Sequence, residues 1–395
     1  MFPAAAYAAE DGDIYHSTIN TDWEEDIYCV VKTDGTLYKI PHTENTVEVS
    51  LNEMISTQVT DNVISCEGSY VLKEDGTVWE FDETTGGFDK ITDDVKEIAC
   101  GGSHALFVKN DNTLWGVGDN SCGQLAQGEM DKPLEEQIQE DLKYKNETKC
   151  APEKIEEPVK IMENVKSAAA YGTVSVVLKT DGTVWTFGAD TGGGALGIGG
   201  RWLVNNEPTQ ILSNIKDIFV QGEAGFAVDN DDTLWRWGSN YAGYAGGNPY
   251  DRLTPEKYME NVKYASNMSG YNLIIKTDNS LWIYGDTDAD NGDIGYSSSE
   301  EPFKLADDAV CALGLNEYFL TEYENDRILV LQTNGDLMLY AIPMLEDKEP
   351  YLIGKVTGNV RLPNEIPASI NFTDITDKSD EAQKAVNALT RAGII

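Results

Sequence analysis

Val174-Ser175-Val176-Val177-Leu178-Lys179-Thr180-Asp181-Gly182-Thr183-Val184-Trp185-Thr186-Phe187-Gly188 decides the fold. Asp-Gly between two apolar, β-prone runs is the strongest short-range signal for a hairpin, read here as a two-residue type I′ turn with positive φ at both positions. The unit recurs at Asp34-Gly35, Asp75-Gly76, Asp111-Asn112, Asp231-Asp232, Asp278-Asn279 and Asn334-Gly335, usually running on into Thr, an aliphatic residue and Trp. Asn and Asp tolerate the left-handed conformation next best after Gly, so the variants keep the turn. The first and last turns lie 300 residues apart in six steps, a mean period of 50 that falls among propeller and solenoid units.

A second element separates the hairpins: Asn or Asp, an aliphatic residue, then usually Lys. Its copies are Asn62-Val63, Asp94-Val95-Lys96, Asn164-Val165-Lys166, Asn214-Ile215-Lys216, Asn261-Val262-Lys263, Asp308-Ala309 and Asn359-Val360-Arg361. In four consecutive units it precedes the turn Asp by 17 residues, and Pro158, Pro208, Pro255 and Pro302 stand six residues ahead of it. Proline there suits the start of an exposed outer strand, where its missing N–H costs no ladder bond. The chain opens with a hairpin that lacks the Asn-Val-Lys strand and closes with such a strand that lacks a hairpin. A ring of sheets resolves this, the last strand joining the first hairpin. The expected fold is therefore all-β: a seven-bladed β-propeller of four-stranded blades over residues 12–363, preceded by 1–11 and followed by 364–395, which contain a short C-terminal helical segment.

With the repeat in hand, the chain resembles the regulator of chromosome condensation repeat family. The hallmarks stand most fully in Gly101-Gly102-Ser103-His104, Asp111-Asn112-Thr113-Leu114-Trp115-Gly116-Val117-Gly118-Asp119-Asn120 and Gly123-Gln124-Leu125. Weaker copies follow at Trp185 to Gly188, Trp235 to Gly238 and Trp282 to Gly285. The resemblance implies a propeller, but a fold shared by exchange factors, inhibitors and surface proteins specifies none of these functions. By character the nearer relatives are bacterial exported members, including propeller-type β-lactamase inhibitor proteins and cell-surface proteins with S-layer homology segments. Residues 371–395, from Asn371-Phe372-Thr373-Asp374-Ile375 to Gly393-Ile394-Ile395, resemble the opening half of such a segment, or else form an amphipathic helix of the propeller itself.

Charge limits the partner. With 29 Lys+Arg against 68 Asp+Glu the net charge is −39, so nucleic acid and anionic membrane surfaces are repelled. No run approaches the roughly 18 apolar residues of a spanning helix, so no membrane insertion is expected. The Ala-rich start with Ala6 and Ala8 is similar to the tail of a secretory signal, and the expected location is secreted or at a bacterial cell surface. The functional expectation is a monomeric, non-catalytic binding module, without cofactors, that recognises a protein or cell-wall glycan. The alternatives are a secreted enzyme inhibitor and a guanine nucleotide exchange factor.

Candidate sites are few. His16, His42 and His104 are the only histidines. None stands beside a visible nucleophile, and His104 belongs to the repeat hallmark, where inter-strand hydrogen bonding is its expected role. No enzyme is read here. Asp286, Asp288 and Asp290 alternate as in a calcium loop, yet Asn291 and Ser297 replace the Gly and closing Glu such a loop needs, so an acidic turn is the competing reading. Six cysteines show no metal spacing; Cys122 and Cys150 flank the one long insertion, 129–157, as either a disulfide or two free thiols. Trp202, Tyr241, Tyr244, Tyr250 and Tyr296 lie in loops on the rim of the insertion, among Gly, Ser and Asn, a composition that suits recognition and also packing between blades.

Overall fold

The computed structural model describes residues 57–139, 148–238, 252–284 and 302–315 with gaps of one or two residues, and strand segments at 7–8, 14–15, 28–31, 37–40, 325–332, 337–343 and 351–356. The protein is all-β, a succession of antiparallel sheets. Sheet 1 contains Tyr28–Val31, Leu37–Ile40 and Thr57–Thr60; sheet 2 contains Val63–Glu67, Tyr70–Lys73, Val78–Asp82 and Gly87–Thr92. Sheet 3 runs Val95–Cys100, His104–Lys109, Leu114–Asp119 and Lys154–Met162, and sheet 4 runs Val165–Tyr171, Val174–Lys179, Val184–Ala189 and Val204–Leu212. Sheet 5 is Ile215–Gln221, Ala224–Asp229, Leu234–Gly238 and Arg252–Met259; sheet 6 is Val262–Met268, Tyr271–Lys276, Leu281–Tyr284 and Phe303–Ala306. Sheet 7 is Cys311–Leu315, Asn325–Leu331, Leu337–Pro343 and Tyr351–Val356. Each strand pairs with the next in sequence, so each sheet is one repeat. Residues 75–262 form one compact unit, which holds sheets 3 to 5 entire, and 2–74 with 263–395 form a second, which holds sheets 1 and 7 entire. The closing strand at Asn359-Val360-Arg361 and the C-terminal helical segment lie outside the described residues.

The hairpin loops are one residue longer than the expected type I′ turn. In sheet 4 the Gly182 N–H donates to the Lys179 carbonyl at 3.0 Å, and the Lys179 N–H to the Thr183 carbonyl at 2.9 Å. Among the described pairs only the second residue is left-handed: Gly76 (φ 78°), Asn112 (63°), Gly182 (80°), Asp232 (62°) and Asn279 (65°). That is a three-residue loop, a right-handed turn closed by one left-handed residue. The first residue stays right-handed because its carboxylate is used. Asp181 Oδ1 accepts the Thr183 N–H at 3.0 Å and its hydroxyl at 2.6 Å, and Thr183 Oγ1 accepts the Trp185 indole N–H at 2.8 Å. The same relay joins Asp75, Thr77 and Trp79, then Asp111, Thr113 and Trp115, then Asp278, Ser280 and Trp282. It accounts for the Asp-x-Thr-x-Trp spacing.

Sheet 5 reaches the same end by another route. Asp229 stands where its neighbours have Lys109, Lys179 and Lys276, whose ammonium groups lie 4.8, 5.6 and 4.7 Å from the Trp rings. Asp229 accepts the Thr233 N–H and the Trp235 indole directly, at 2.8 and 2.9 Å. Lys257, from the outer strand, supplies the cation over Trp235 at 5.4 Å.

The Asn-Val-Lys element is explained by backbone conformation. Asn62, Asp94, Asn164, Asn214 and Asn261 all have φ of 58–65°. Only Gly, Asn and Asp enter that region cheaply. The following N–H of each first strand donates to the preceding turn: Val165 to Asn112, Ile215 to Gly182, Val262 to Asp232 and Ala309 to Asn279. The Lys then reaches the second turn residue of its own sheet, Lys96 to Asn112 at 2.6 Å and Lys263 to Asn279 at 3.2 Å, with an ion pair from Lys216 to Asp232.

The prolines correct the reading of the outer strand. Pro158, Pro208 and Pro255 lie inside outer strands that begin at Lys154, Val204 and Arg252, and each sits where the ladder skips, opposite Val117, Phe187 and Trp237. A bulge tolerates a residue without an N–H as well as a strand start does. The expected insertion 129–157 accordingly ends before Lys154.

Alternation along the second strand of sheet 4 shows why its run is apolar throughout. Val174, Val176 and Leu178 pack with Ile215, Ile218, Ala227 and Trp237 toward sheet 5, while Val177 packs with Leu106, Val108 and Leu114 of sheet 3. Both faces are interior, and each such side chain contributes about 2 kcal/mol by burial.

Candidate functional site

At the end of the sheets opposite the turns, the described connections of sheets 3 and 4 differ. In sheet 3 the chain leaves Gly118 into a loop organised by Asn120, which is fully buried. Its Oδ1 accepts the Leu125 N–H at 3.1 Å, and its Nδ2 donates to the carbonyls of Gln127 and Pro152 at 3.1 and 3.0 Å. Gln124, also fully buried, accepts the Cys122 N–H at 2.8 Å and donates to Asp119 at 2.9 Å. Sheet 4 places Asp190 at the corresponding position. Its carboxylate accepts four backbone N–H groups, from Gly192, Gly194, Ala195 and Trp202. Burial raises the Asp190 pKa, and those four donors oppose the rise.

The described parts of the insertion, 129–139 and 148–153, are folded into a lobe. Glu129–Met130 pairs with Cys150–Ala151, and the helix Leu134–Gln139 follows. Gln137, 1% exposed, anchors it to sheet 4: Nε2 donates to the Val204 carbonyl at 3.0 Å and Oε1 accepts the Val204 N–H at 2.9 Å, with a further bond to the Lys132 carbonyl. Asn206 Nδ2 bonds the Gly128 carbonyl at 2.9 Å. The glycine-rich stretch 192–200 is held in turn against sheet 5, the Gly199 N–H on the Leu253 carbonyl and the Trp237 indole on the Ala195 carbonyl at 2.9 Å. Lobe, Asn120 loop and glycine-rich loop thus form one connected, pre-shaped surface along sheets 3 to 5.

Of the expected rim aromatics, Trp202 is half-buried, left-handed at φ 58°, and lies with its ring over Gly192, where a Cβ would overlap it. It shapes the loop from inside. Tyr241, Tyr244, Tyr250 and Tyr296, and the calcium candidates Asp286, Asp288 and Asp290, lie outside the described residues. Among the described residues no group of three or more His, Cys, Asp or Glu is placed to hold a metal ion. Cys122 and Cys150 are both free thiols and meet in one small cluster with Ala189, Val204 and Met130.

His104 joins sheets. Its Nε2 lies 2.9 Å from Ser175 Oγ of sheet 4, and that hydroxyl donates to the Gln124 carbonyl at 2.8 Å, so Nε2 carries the proton. Burial takes the imidazole down to about 4, Asp119 opposing, and Nδ1 has no hydrogen-bond partner. Gly101 is required beneath the ring, since a Cβ there would overlap it. A neutral His that receives no proton from a Ser already bonded elsewhere is a tie between sheets and no general base.

Two half-buried acids lie on first strands. Burial pushes Glu97 up to about 7, against the Ala168 N–H it accepts at 2.9 Å and Lys96, with Asp217 adding to the rise. Burial likewise takes Asp217 up to about 6, with Lys166 opposing.

Sequence reading missed Gln137, Ser175, Asn206 and the role of Asp190. A signal existed for the last: Asn120, Asp190 and Asn240 each stand two residues beyond a strand glycine, Gly118, Gly188 and Gly238.

Comparison with known proteins agrees with the geometry of sheet 3. The family model of the regulator of chromosome condensation (RCC1) repeat matches residues 95–124, from the first strand of that sheet to Gln124. No curated protein matches the chain. Among solved structures the chain is similar to yeast RCC1 (Prp20) bound to Kap60, at 15% identity over 81% of each chain with a TM-score of 0.47. It is similar to human WBSCR16 at 16% identity over 88% of this chain and 80% of that one, TM-score 0.45. It is also similar to Prp20p of Saccharomyces cerevisiae, whose binding to Gsp1p and histones has been described, at 17% identity and TM-score 0.41. That match covers 62% of this chain and spans 57% of Prp20p.

Proposed function

We propose that the chain is an exported, non-catalytic binding module that takes a protein or cell-wall glycan on the loop surface of sheets 3 to 5. The observation that carries this reading is the anchoring of the lobe by Gln137 on both polar groups of Val204. A spacer has no use for a buried amide fixed at three points; a contact surface gains from it, because ordering is completed before the partner arrives. The glycine-rich loop beside it offers backbone groups and small residues, which suits close approach by a polar ligand. At −39 the partner is neutral or basic on the face it presents. Location at the cell surface is in keeping with the acidic composition.

The test is capture followed by footprinting. The full chain is immobilised and exposed to extracellular and cell-wall fractions of its source organism, and amide exchange is compared with and without the retained partner. Slowed exchange concentrated in 119–139 and 190–206 is the expected result. Failure to retain a partner, or protection confined to the turns at 110–112, 180–182 and 230–232, overturns the reading.

A further inference from the structure

The base of the lobe brings two sulfurs together. Ser121 N–H is held by Asp119 at 2.9 Å and Cys122 N–H by Gln124 at 2.8 Å, which fixes the backbone on one side. On the other, Cys150 is fixed by its pairing with Met130. The two sides meet directly, because the Cys150 N–H donates to the Ser121 carbonyl at 2.9 Å. That carbonyl belongs to the peptide unit of Cys122. Standard backbone geometry then puts the two Cα atoms no more than about 7 Å apart, at the upper edge of the span a disulfide bridges. Both side chains enter the same apolar cluster against Ala189 and Val204. Cys122 is half-buried and open to a reagent, whereas Cys150 is 1% exposed.

We propose that Cys122 and Cys150 are a reversible redox pair, closed to a disulfide by low-molecular-weight disulfides such as oxidised glutathione and reopened by thiols, so that the lobe is covalently clamped in an oxidising compartment. The Cys122 thiolate attacks one glutathione sulfur, the glutathione S–S bond breaks, and one glutathione leaves as its thiol after taking a proton. The Cys150 thiolate then attacks Cys122 Sγ in the mixed disulfide and expels the second glutathione. The protein gives up two electrons and two protons, and one oxidised glutathione becomes two thiols. Burial raises both thiol pKa values, that of Cys150 to about 11, so closure accelerates as pH rises toward that range. The inference is independent of the ligand proposed above.

The experiment uses the folded full chain, reduced and then incubated with oxidised glutathione, followed by unfolding and alkylation in acid-quenched denaturant, intact mass and a non-reducing peptide map. Four of the six cysteines should remain alkylatable, with one cross-linked peptide joining Cys122 to Cys150. Cleavage inside the lobe by an added protease should slow on the order of tenfold in the oxidised form, since a cross-link suppresses local opening. Cys150→Ser should instead stop at a glutathione adduct on Cys122. If Cys150→Ser does not fold, the wild-type map decides alone. Six alkylatable thiols in the oxidant-treated folded protein, or a persistent adduct on wild-type Cys122, overturns the proposal.

Discussion

The two ends of sheets 3 to 5 are built on opposite terms. At the turn end, sheets 3 and 4 share one local circuit, an Asp carboxylate, a Thr hydroxyl and a Trp indole, which sheet 5 replaces by Asp229 on the indole, and in all three a left-handed Asn hands the chain to the next sheet. At the loop end the described hubs share one bond, Asn120 and Asp190 each accepting the N–H five residues on, and differ in the rest. Asn120 gathers carbonyls, Asp190 gathers N–H groups, and Gln137 ties a lobe to the neighbouring sheet. Uniform turns make a scaffold whose geometry is indifferent to what its loops do. Individual loops, each with its own buried polar hub, are where one member of such a fold differs from another.

Trp237→Ala should break the loop end most. It removes a side chain that is 1% exposed and strips the Ala195 carbonyl of its donor, costing about 3–5 kcal/mol in denaturant unfolding. Trp237→Phe should recover the larger part of that. Gln137→Ala comes next, at roughly 2 kcal/mol, because it orphans both polar groups of Val204. Its loss should be local: amide exchange at 129–139 and 204–206 quickens while the sheet ladders keep their protection.

Glu97→Gln probes a turn-end position that does vary, since Glu97, Ser167 and Asp217 occupy the same place in sheets 3, 4 and 5. Glu97 titrates near 7 when folded against an ordinary value of 4.5, so between those values the native state holds the extra proton. The wild type therefore loses stability as pH rises through that window, by about 1–2 kcal/mol from this group. The variant should flatten that part of the profile in parallel thermal melts at pH 5 and pH 8. Thr183→Val should have the smallest effect, about 1 kcal/mol, by cutting one copy of the relay. A loss as large as that of Trp237→Ala would mean that the repeats do not share the load.

How much of this was legible follows from distance along the chain. The turns, the left-handed Asn and the all-β repeat are local, so Asp181-Gly182-Thr183 and Asn164-Val165-Lys166 announce themselves. Even there the turn type was misjudged, because the carboxylate of Asp181 competes for the backbone and keeps that residue right-handed. The loop end was legible only as an insertion and a set of rim aromatics. Gln137 finds Val204 across 67 positions and His104 finds Ser175 across 71, and no local pattern marks such pairs. Trp202 was read as a rim aromatic because loops of Gly, Ser and Asn usually show their aromatics. In the structure its N–H bonds Asp190 and its half-buried ring lies against Gly192.

The most direct measurement compares retention of the captured partner by two variants, each broken at one end of the same sheets. Gln137→Ala should weaken retention at least tenfold while leaving the thermal melt nearly intact, and Thr183→Val should bind as the wild type does. Equal binding by Gln137→Ala, or loss confined to Thr183→Val, would contradict the assignment of recognition to the loop end.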